Sequence, residues 1–221
     1  MRYDAVLFDN DGVLTHLTER RLLRRAVERA FDESGVEDPD PADVEGLLVG
    51  VDPETVHAIG SDYGVDPERF WRRRDRYASR LQREAIEAGE KPLYYDFDAV
   101  LDLPGPRGIV SSNQHPTIES IVEHFGIEDH FETYYGREMS VEGLRRKKPA
   151  TYYLDRAVED LAATNPVYVG DSESDVVAAE NAGMDAVFVR RPHRADSSLA
   201  VEPTAEIRSL RELPEVLNGA P

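Results

Sequence analysis

The run Ala5-Val6-Leu7-Phe8 is followed at once by Asp9-Asn10-Asp11-Gly12. Four apolar residues in a row read as a short buried strand, and on extended backbone residues two apart face the same side, so Asp9 and Asp11 look into one small volume. Carboxylates held that close repel unless a cation, a shared proton or a reacting group intervenes. A pair of this kind can attack as a nucleophile, move a proton or hold a metal ion. The same residues also read as an Asx-rich turn after a strand, and the run by itself leaves both readings open.

Three further clusters follow strand-like or loop-like runs downstream. Ser111-Ser112-Asn113 comes after Gly108-Ile109-Val110, Lys147-Lys148-Pro149 stands alone, and Asp171-Ser172-Glu173-Ser174-Asp175 comes after Val167-Tyr168-Val169-Gly170. A hydroxyl and backbone N–H groups where a strand gives way to a helix can hold phosphate oxygens, or simply cap the helix. Asp175 lies one helical turn past Asp171, where it either serves the site or complements a helix dipole. Lysine is scarce: only Lys91, Lys147 and Lys148 stand among 26 basic residues. Where arginine is used almost everywhere, a retained lysine points to a need for a compact charge. Scarcity adds interest to Lys148, while Lys147 is expected to face solvent.

Taken in order, these four clusters resemble the motifs of the haloacid dehalogenase-like superfamily in its phosphatase branch, and Asp171 to Gly183 is similar to phosphoglycolate-phosphatase-type members. The resemblance runs from Asp4 to about Phe188. It implies that Asp9 is a nucleophile forming an aspartyl-phosphate and that Asp11 is a general acid and base, which calls for a pKa raised by its neighbours. It implies a Mg²⁺ ion held by the Asp9 carboxylate, the Asp11 backbone carbonyl and the Asp171 carboxylate, an all-oxygen set that suits magnesium rather than zinc. By the same resemblance Ser111, Ser112 and Lys148 hold the substrate phosphate, Lys148 neutralises Asp9, and Asp175 orients Lys148 or a metal-bound water. Asn10, usually apolar in the family, is expected to point away from the site.

Positioning these groups requires short strands alternating with helices, as in a parallel α/β sheet. Strands are expected at Ala5 to Phe8, Gly108 to Ser111, Thr133 to Tyr135, Val167 to Val169, Ala186 to Val189 and Ala205 to Ile207. Helices are expected from Pro116 to Phe125, Thr151 to Ala163, Ser174 to Ala182 and Ser209 to Leu217, with a frayed end from Asn218 to Pro221. Between Thr15 and Glu90 the apolar residues repeat only at helical spacing, in Glu19 to Ser34, Asp43 to Val49, Pro53 to Tyr63 and Pro67 to Ala88. The expected architecture is a Rossmann-like core of residues 1–14 and 91–221 with an inserted helical cap of residues 15–90, Gly89-Glu90-Lys91-Pro92 being the return linker.

Composition narrows the function classes. The 221 residues carry 44 acids against 26 bases, a net charge of −18, with no cysteine. Such a surface repels nucleic acid and anionic lipid, and no cysteine chemistry is possible. No long apolar run or basic leader is readable, so a cytoplasmic protein is expected, as a monomer or homodimer. The cap helices carry Arg20, Arg21, Arg24, Arg25 and Arg29, then Arg69, Arg72, Arg73, Arg74, Arg76, Arg80 and Arg83. One or two of these are candidates to meet a second anionic group on the substrate; the rest read as solvated faces. The six histidines show no metal-ligand spacing, and His16 and His57 read as ordinary residues.

Departures from family patterns narrow the reaction. Dehalogenases lack the second aspartate, present here as Asp11. Mutases of the β-phosphoglucomutase type carry a histidine ten residues beyond it, and that position is Arg21. The expected function is a Mg²⁺-dependent phosphatase of small phosphorylated metabolites, with a sugar-phosphate phosphomutase as the alternative. Acid enrichment with lysine depletion further resembles proteins adapted to high salt. Melting temperature should therefore rise from dilute buffer to molar KCl, as the Debye length shrinks from about 10 Å at 0.1 M to about 3 Å at 1 M. A flat or falling trend by calorimetry would remove that explanation.

Overall fold

Residues 2–219 are described by a computed structural model; Ala220 and Pro221 of the expected frayed end lie outside them. Six strands, β1 (Ala5–Phe8), β2 (Arg107–Gln114), β3 (Thr133–Arg137), β4 (Pro166–Gly170), β5 (Asp185–Val189) and β6 (Ala205–Ile207), form one sheet in the order β3-β2-β1-β4-β5-β6. All neighbours are parallel. The central strands β1 and β4 are buried along their whole length, which is why they read as unbroken apolar runs rather than alternating ones. Val6 and Phe8 pack on one face with α5 (Asp98–Leu101), α6 (His115–Phe125) and α10 (Leu213–Leu217). Leu7 packs on the other with α8 (Tyr152–Asp160) and α9 (Glu173–Asn181).

From β1 the chain builds outward to β2 and β3, then returns to the opposite side of β1 for β4. The order reverses at β1, and in open α/β sheets a crevice forms beyond the strand carboxyl ends at that point. Asp9 follows β1 and Asp171 follows β4, so both candidate acids sit at its rim. β2 runs beyond the expected end at Ser111 to Gln114, after a shift in register between Val110 and Gln114 that pairs Gln114 with Arg137. Two short helices were not legible in the periodicity, α5 and α7 (Val141–Arg146), and the expected Ser209 to Leu217 helix is a 3₁₀ turn followed by α10.

The segment between Thr15 and Glu90 is helical: α1 (Arg20–Asp32), α2 (Pro41–Gly46), α3 (Pro53–Tyr63) and α4 (Pro67–Glu87). Three of its helices open on the same device. Asp40, Asp52 and Asp66 each accept a hydrogen bond from a backbone N–H of the first turn, at 2.8, 2.7 and 2.7 Å, and a proline follows at the first helical position, where its missing N–H costs nothing. The apolar faces meet around Phe31, which packs on Phe70 at 4.8 Å and Tyr63 at 5.2 Å. This cluster also takes in Val141 and Leu144 of α7, so the helical segment does not close its core without residues from the rest of the chain. No helix among the described residues is long and apolar enough to cross a membrane.

Buried polar groups tie the segment to the sheet. Asp75 on α4 takes both terminal nitrogens of Arg137 on β3, one of them at 2.7 Å, the amide of Gln114 at 2.8 Å, and Arg74 at 3.2 Å. All four side chains are buried. Removing one member of such a group leaves uncompensated charge in low dielectric. Asp75→Asn should therefore lower unfolding stability by about 3–5 kcal/mol, measured by urea denaturation; a change under about 1 kcal/mol, the range of an exposed pair, would show that Asp75 is not the tie.

Candidate active site

After β1 the backbone turns sharply. The carbonyl of Asn10 accepts from the amides of Val13, Leu14 and Thr15 at 3.2, 2.9 and 3.0 Å, and Gly12 passes through φ +86°. A Cβ at Gly12 would lie 2.3 Å from Asp171 Oδ2. The turn thus brings the backbone beside Asp11 against the carboxylate at the end of β4, and only glycine fits there.

Asp9 is buried, and its Oδ1 accepts from the Asn10 amide at 2.7 Å and lies 2.9 Å from Lys148 Nζ. Oδ2 has no protein partner among the described residues. Lys148 is itself buried and held from three sides, by Asp9, by Asp175 Oδ1 at 2.6 Å and by the Tyr168 hydroxyl at 2.6 Å. Burial pushes the Asp9 carboxyl up to about 7, with the Asp175 and Asp171 charges adding to the effect and Lys148 opposing it. Burial works against the Lys148 charge too, but Asp175 and Asp9 outweigh it and raise its pKa.

Asp175 uses its two oxygens differently. Its Oδ2 accepts from the amides of Asp171 and Ser172 and from the Ser172 hydroxyl at 3.1, 3.0 and 2.7 Å, closing the capping box of α9, while Oδ1 meets Lys148. Carboxylate oxygens of Asp9, Asp171 and Asp175 lie within 4.8 Å of one another. The three acids outnumber the one ammonium among them, and every donor is oxygen, which fits a small hard divalent cation. Asp171 Oδ2 already accepts from His193 Nε2 at 2.6 Å and Arg194 Nε at 3.3 Å; Oδ1 has no protein partner among the described residues.

Asp11 corrects the expectation. Burial alone would raise its carboxyl, but the Lys91 ammonium bound to Oδ1, with Asn113 Nδ2 at 2.7 Å and Asn10 Nδ2 at 3.4 Å on Oδ2, holds it below the usual carboxylate range. Lys91 is buried and also donates to Thr18 at 2.8 Å and to Gln82 at 3.0 Å. Asn10 does not point away: its amide reaches Thr15 at 3.0 Å as well as Asp11. Lys147 does not face solvent either; its Nζ donates to the carbonyl of Val51, between α2 and α3.

Ser111 and Ser112 line the same cavity as Asp9 and Asp11. Ser111 is buried, and its hydroxyl accepts from the Asn113 amide at 3.2 Å. Neither serine caps α6, which begins at His115 with no side-chain cap, because β2 continues past them. The cavity, of about 520 Å³, also reaches Arg20, Arg74, Lys147, His193 and Arg194. Most other cap arginines pair with surface acids, as Arg24 does with Glu45, Arg72 with Glu68 and Arg80 with Glu84. Sequence reasoning missed Lys91, Gln82, His193 and Arg194. The scarcity of lysine was a signal for Lys91; nothing in local spacing marks the other three.

Residues 6–189 match the sequence pattern described as haloacid dehalogenase-like hydrolase. A tyrosine-protein kinase PtkA of Mycobacterium tuberculosis is 32% identical over 220 residues, covering 94% of this chain and 71% of the relative. A phosphoglycolate phosphatase of Cereibacter sphaeroides is 28% identical, covering 81% of this chain and 82% of the relative. In fold, CbbY from Rhodobacter sphaeroides, solved in complex with phosphate, superposes with a TM-score of 0.69 at 20% identity over 96% of both chains. A hydrolase from Pseudomonas syringae gives 0.65 at 14% identity over 99% of this chain and all of that one. At such identities the two solved structures speak for the fold alone.

Gly12→Ala tests the close approach. The backbone conformation alone should cost about 1–2 kcal/mol, and displacement of Asp171 should add to it. Urea unfolding measures the sum, and a variant as stable as the parent would contradict the geometry.

Proposed function

This chain belongs to the haloacid dehalogenase-like hydrolase family, and we propose that it is a phosphatase of small phosphomonoesters that works through a phosphorylated Asp9. The observation that carries the reading is the state of Asp9: Oδ1 is fixed by Asn10 and Lys148, Oδ2 has no protein partner among the described residues, and the residue lines a cavity of metabolite size. Oδ2 attacks phosphorus, the bond to the leaving oxygen breaks, and water later attacks the same phosphorus to free Asp9 and inorganic phosphate. Lys148 and the backbone and hydroxyl donors of Ser111 and Ser112 offset charge on the phosphoryl oxygens. A divalent ion, Mg²⁺ by its donor chemistry, would be held by the Asp9 and Asp171 carboxylates with the Asp11 carbonyl, Asp175 supporting them through Lys148. When bound it supplies positive charge to the phosphoryl group.

Asp11 carries the proton: in its protonated form it gives one to the leaving oxygen, and on hydrolysis it takes one from the attacking water. Lys91, Asn113 and Asn10 fix the Asp11 side chain in place for both steps. Helices α1–α4 act as the cap over this chemistry, with Thr15 and Lys91 on its two connections to the sheet. The isolated bridge of Thr15 to Leu93 ties those connections together. A second reading comes from the mycobacterial relative named as a tyrosine-protein kinase: the same phosphorylated Asp9 would pass its phosphoryl group to a tyrosine hydroxyl instead of water. A phosphomutase would pass it to a second hydroxyl of a sugar phosphate.

Two variants separate the roles. Asp9→Asn should abolish turnover of every phosphomonoester. Asp11→Asn should keep substrate binding and lose about 10²- to 10⁴-fold in rate, less for formation of the phosphorylated enzyme from aryl phosphates, whose leaving groups need little protonation. Rapid quenching and peptide mass analysis should find phosphate on Asp9 in that variant. Phosphate on another residue refutes the assignment, and label from ATP appearing on a tyrosine peptide rather than as free phosphate selects the kinase reading.

A further inference from the structure

We propose that Lys147 anchors a second anionic group of the substrate, so that the phosphomonoester taken here carries a carboxylate or another phosphate at the end remote from the scissile phosphoryl group. The inference rests on the phosphatase reading for which end is cleaved, but the anion site itself stands on the geometry around Lys147. The chain has three lysines among 26 basic residues. Lys91 is committed to Asp11 and Lys148 to Asp9 and Asp175. Lys147 lines the same cavity, and no carboxylate pairs with it among the described residues.

Backbone geometry sends the two adjacent lysines apart. Lys147 is extended, with ψ 163°, and successive side chains on extended backbone point to opposite sides. Lys148 enters the acid cluster, and Lys147 reaches the helical segment, where its Nζ donates to the carbonyl of Val51. An ammonium has three donors, and this bond uses one. Around it the charges do not balance. Arg74 and Arg137 share the single carboxylate of Asp75, and Arg74 spends its other contacts on the carbonyls of Leu47 and Leu48 at 3.1 and 2.6 Å. Asp52, the remaining acid nearby, caps α3 through Thr55. Three cations, Arg74 and Arg137 buried and Lys147 half-buried, therefore face two carboxylates, Asp75 and Asp52, that are already committed. Burial, with Arg137 and Arg74 adding to it, pushes the Lys147 pKa down to about 8, as expected of an ammonium short of a counter-charge.

Buried cations without partners are costly, and an anionic ligand removes the cost. Of the three, Lys147 has two donors to spare, whereas the terminal nitrogens of Arg74 and Arg137 are spent on Asp75 and on backbone carbonyls, Arg74 Nε being left without a partner among the described residues. The cavity lining mixes apolar Leu23, Leu48 and Leu144 with polar Thr18, Gln82 and Asn113. The site thus selects for charge at both ends of its ligand.

Equilibrium binding tests the inference without turnover. Titration calorimetry with ω-phosphonocarboxylates of two to six carbons, α,ω-bisphosphonates of the same lengths and plain alkylphosphonates compares one anion with two, and a carboxylate with a phosphate. At the best length the second anion should tighten binding by roughly 10- to 100-fold in the parent protein. Lys147→Met should abolish that gain while leaving alkylphosphonate affinity unchanged, and Lys147→Arg should restore part of it; thermal melts establish that each variant is folded. Equal affinity for one and two anions at every length, or an equal gain in Lys147→Met, overturns the proposal. In kinetics, Lys147→Met should raise KM for two-anion phosphomonoesters and spare p-nitrophenyl phosphate. If the parent hydrolyses no phosphomonoester, the phosphatase reading fails while the calorimetric comparison still decides the anion site.

Discussion

One ammonium organises the site. Lys148 sits against Asp9 from β1, Asp175 from α9 and the hydroxyl of Tyr168 from β4, and all four side chains are buried. Without that charge, two carboxylates would share a space closed to water, where repulsion is several times stronger than in solvent. Its position is itself fixed from behind, since the Tyr168 hydroxyl donates to the carbonyl of Val110 in β2 at 2.6 Å. Three neighbouring strands are thereby locked to one nitrogen.

The same logic extends outward through neutral groups. Gln82 on α4 receives Lys91 at 3.0 Å, Asn113 at 2.8 Å and Thr18 at 2.6 Å on its carbonyl oxygen. Its amide donates to Gln114 at 3.2 Å, and Gln114 donates to Asp75 at 2.8 Å. Gln82 and Asp75 are seven residues apart, two turns of one helix, and so share a face. A single helix therefore carries one end of a polar chain to Asp11 and the other to the arginine pair. Movement of α4 relative to the sheet would disturb both at once.

What was legible in the sequence follows the range of the interactions. β1 and α3 were bounded correctly because apolar runs and Asp-Pro caps act over a few residues. Asp9, Lys148, Asp171 and Asp175 do come together in the structure: Asp9 and Asp171 stand at the carboxyl ends of β1 and β4, Asp175 in the first turn of α9, and Lys148 just after α7. The state of Asp11 was not legible. Lys91 lies 80 residues away in sequence and reaches Asp11 where the two connections run side by side, Thr15 pairing with Leu93, so the expected rise in pKa became a fall. Ser111 and Ser112 were expected at a helix entry, and a register shift in β2 that no local pattern announces moved the helix on to His115. His193 and Arg194 follow β5 in a 3₁₀ turn with no motif, and only tertiary folding sets them on Asp171.

The use of the two basic residues is the widest constraint. On the surface, where a long side chain must find an acid within solvent, arginine spreads its charge over a fork, is weakly hydrated and pairs with glutamate along α1 and α4. Inside the cleft the requirement is different. A nitrogen that lies within 3 Å of Asp9, Asp175 and Tyr168 together must be a compact point with donors in three directions, which a planar guanidinium does not offer. In a chain that otherwise prefers arginine, lysine survives where geometry demands a point charge, and all three lysines line or adjoin one cleft. Composition, usually informative only about solubility and partners, here carries positional information, because one residue type has been confined to the places where its shape is required.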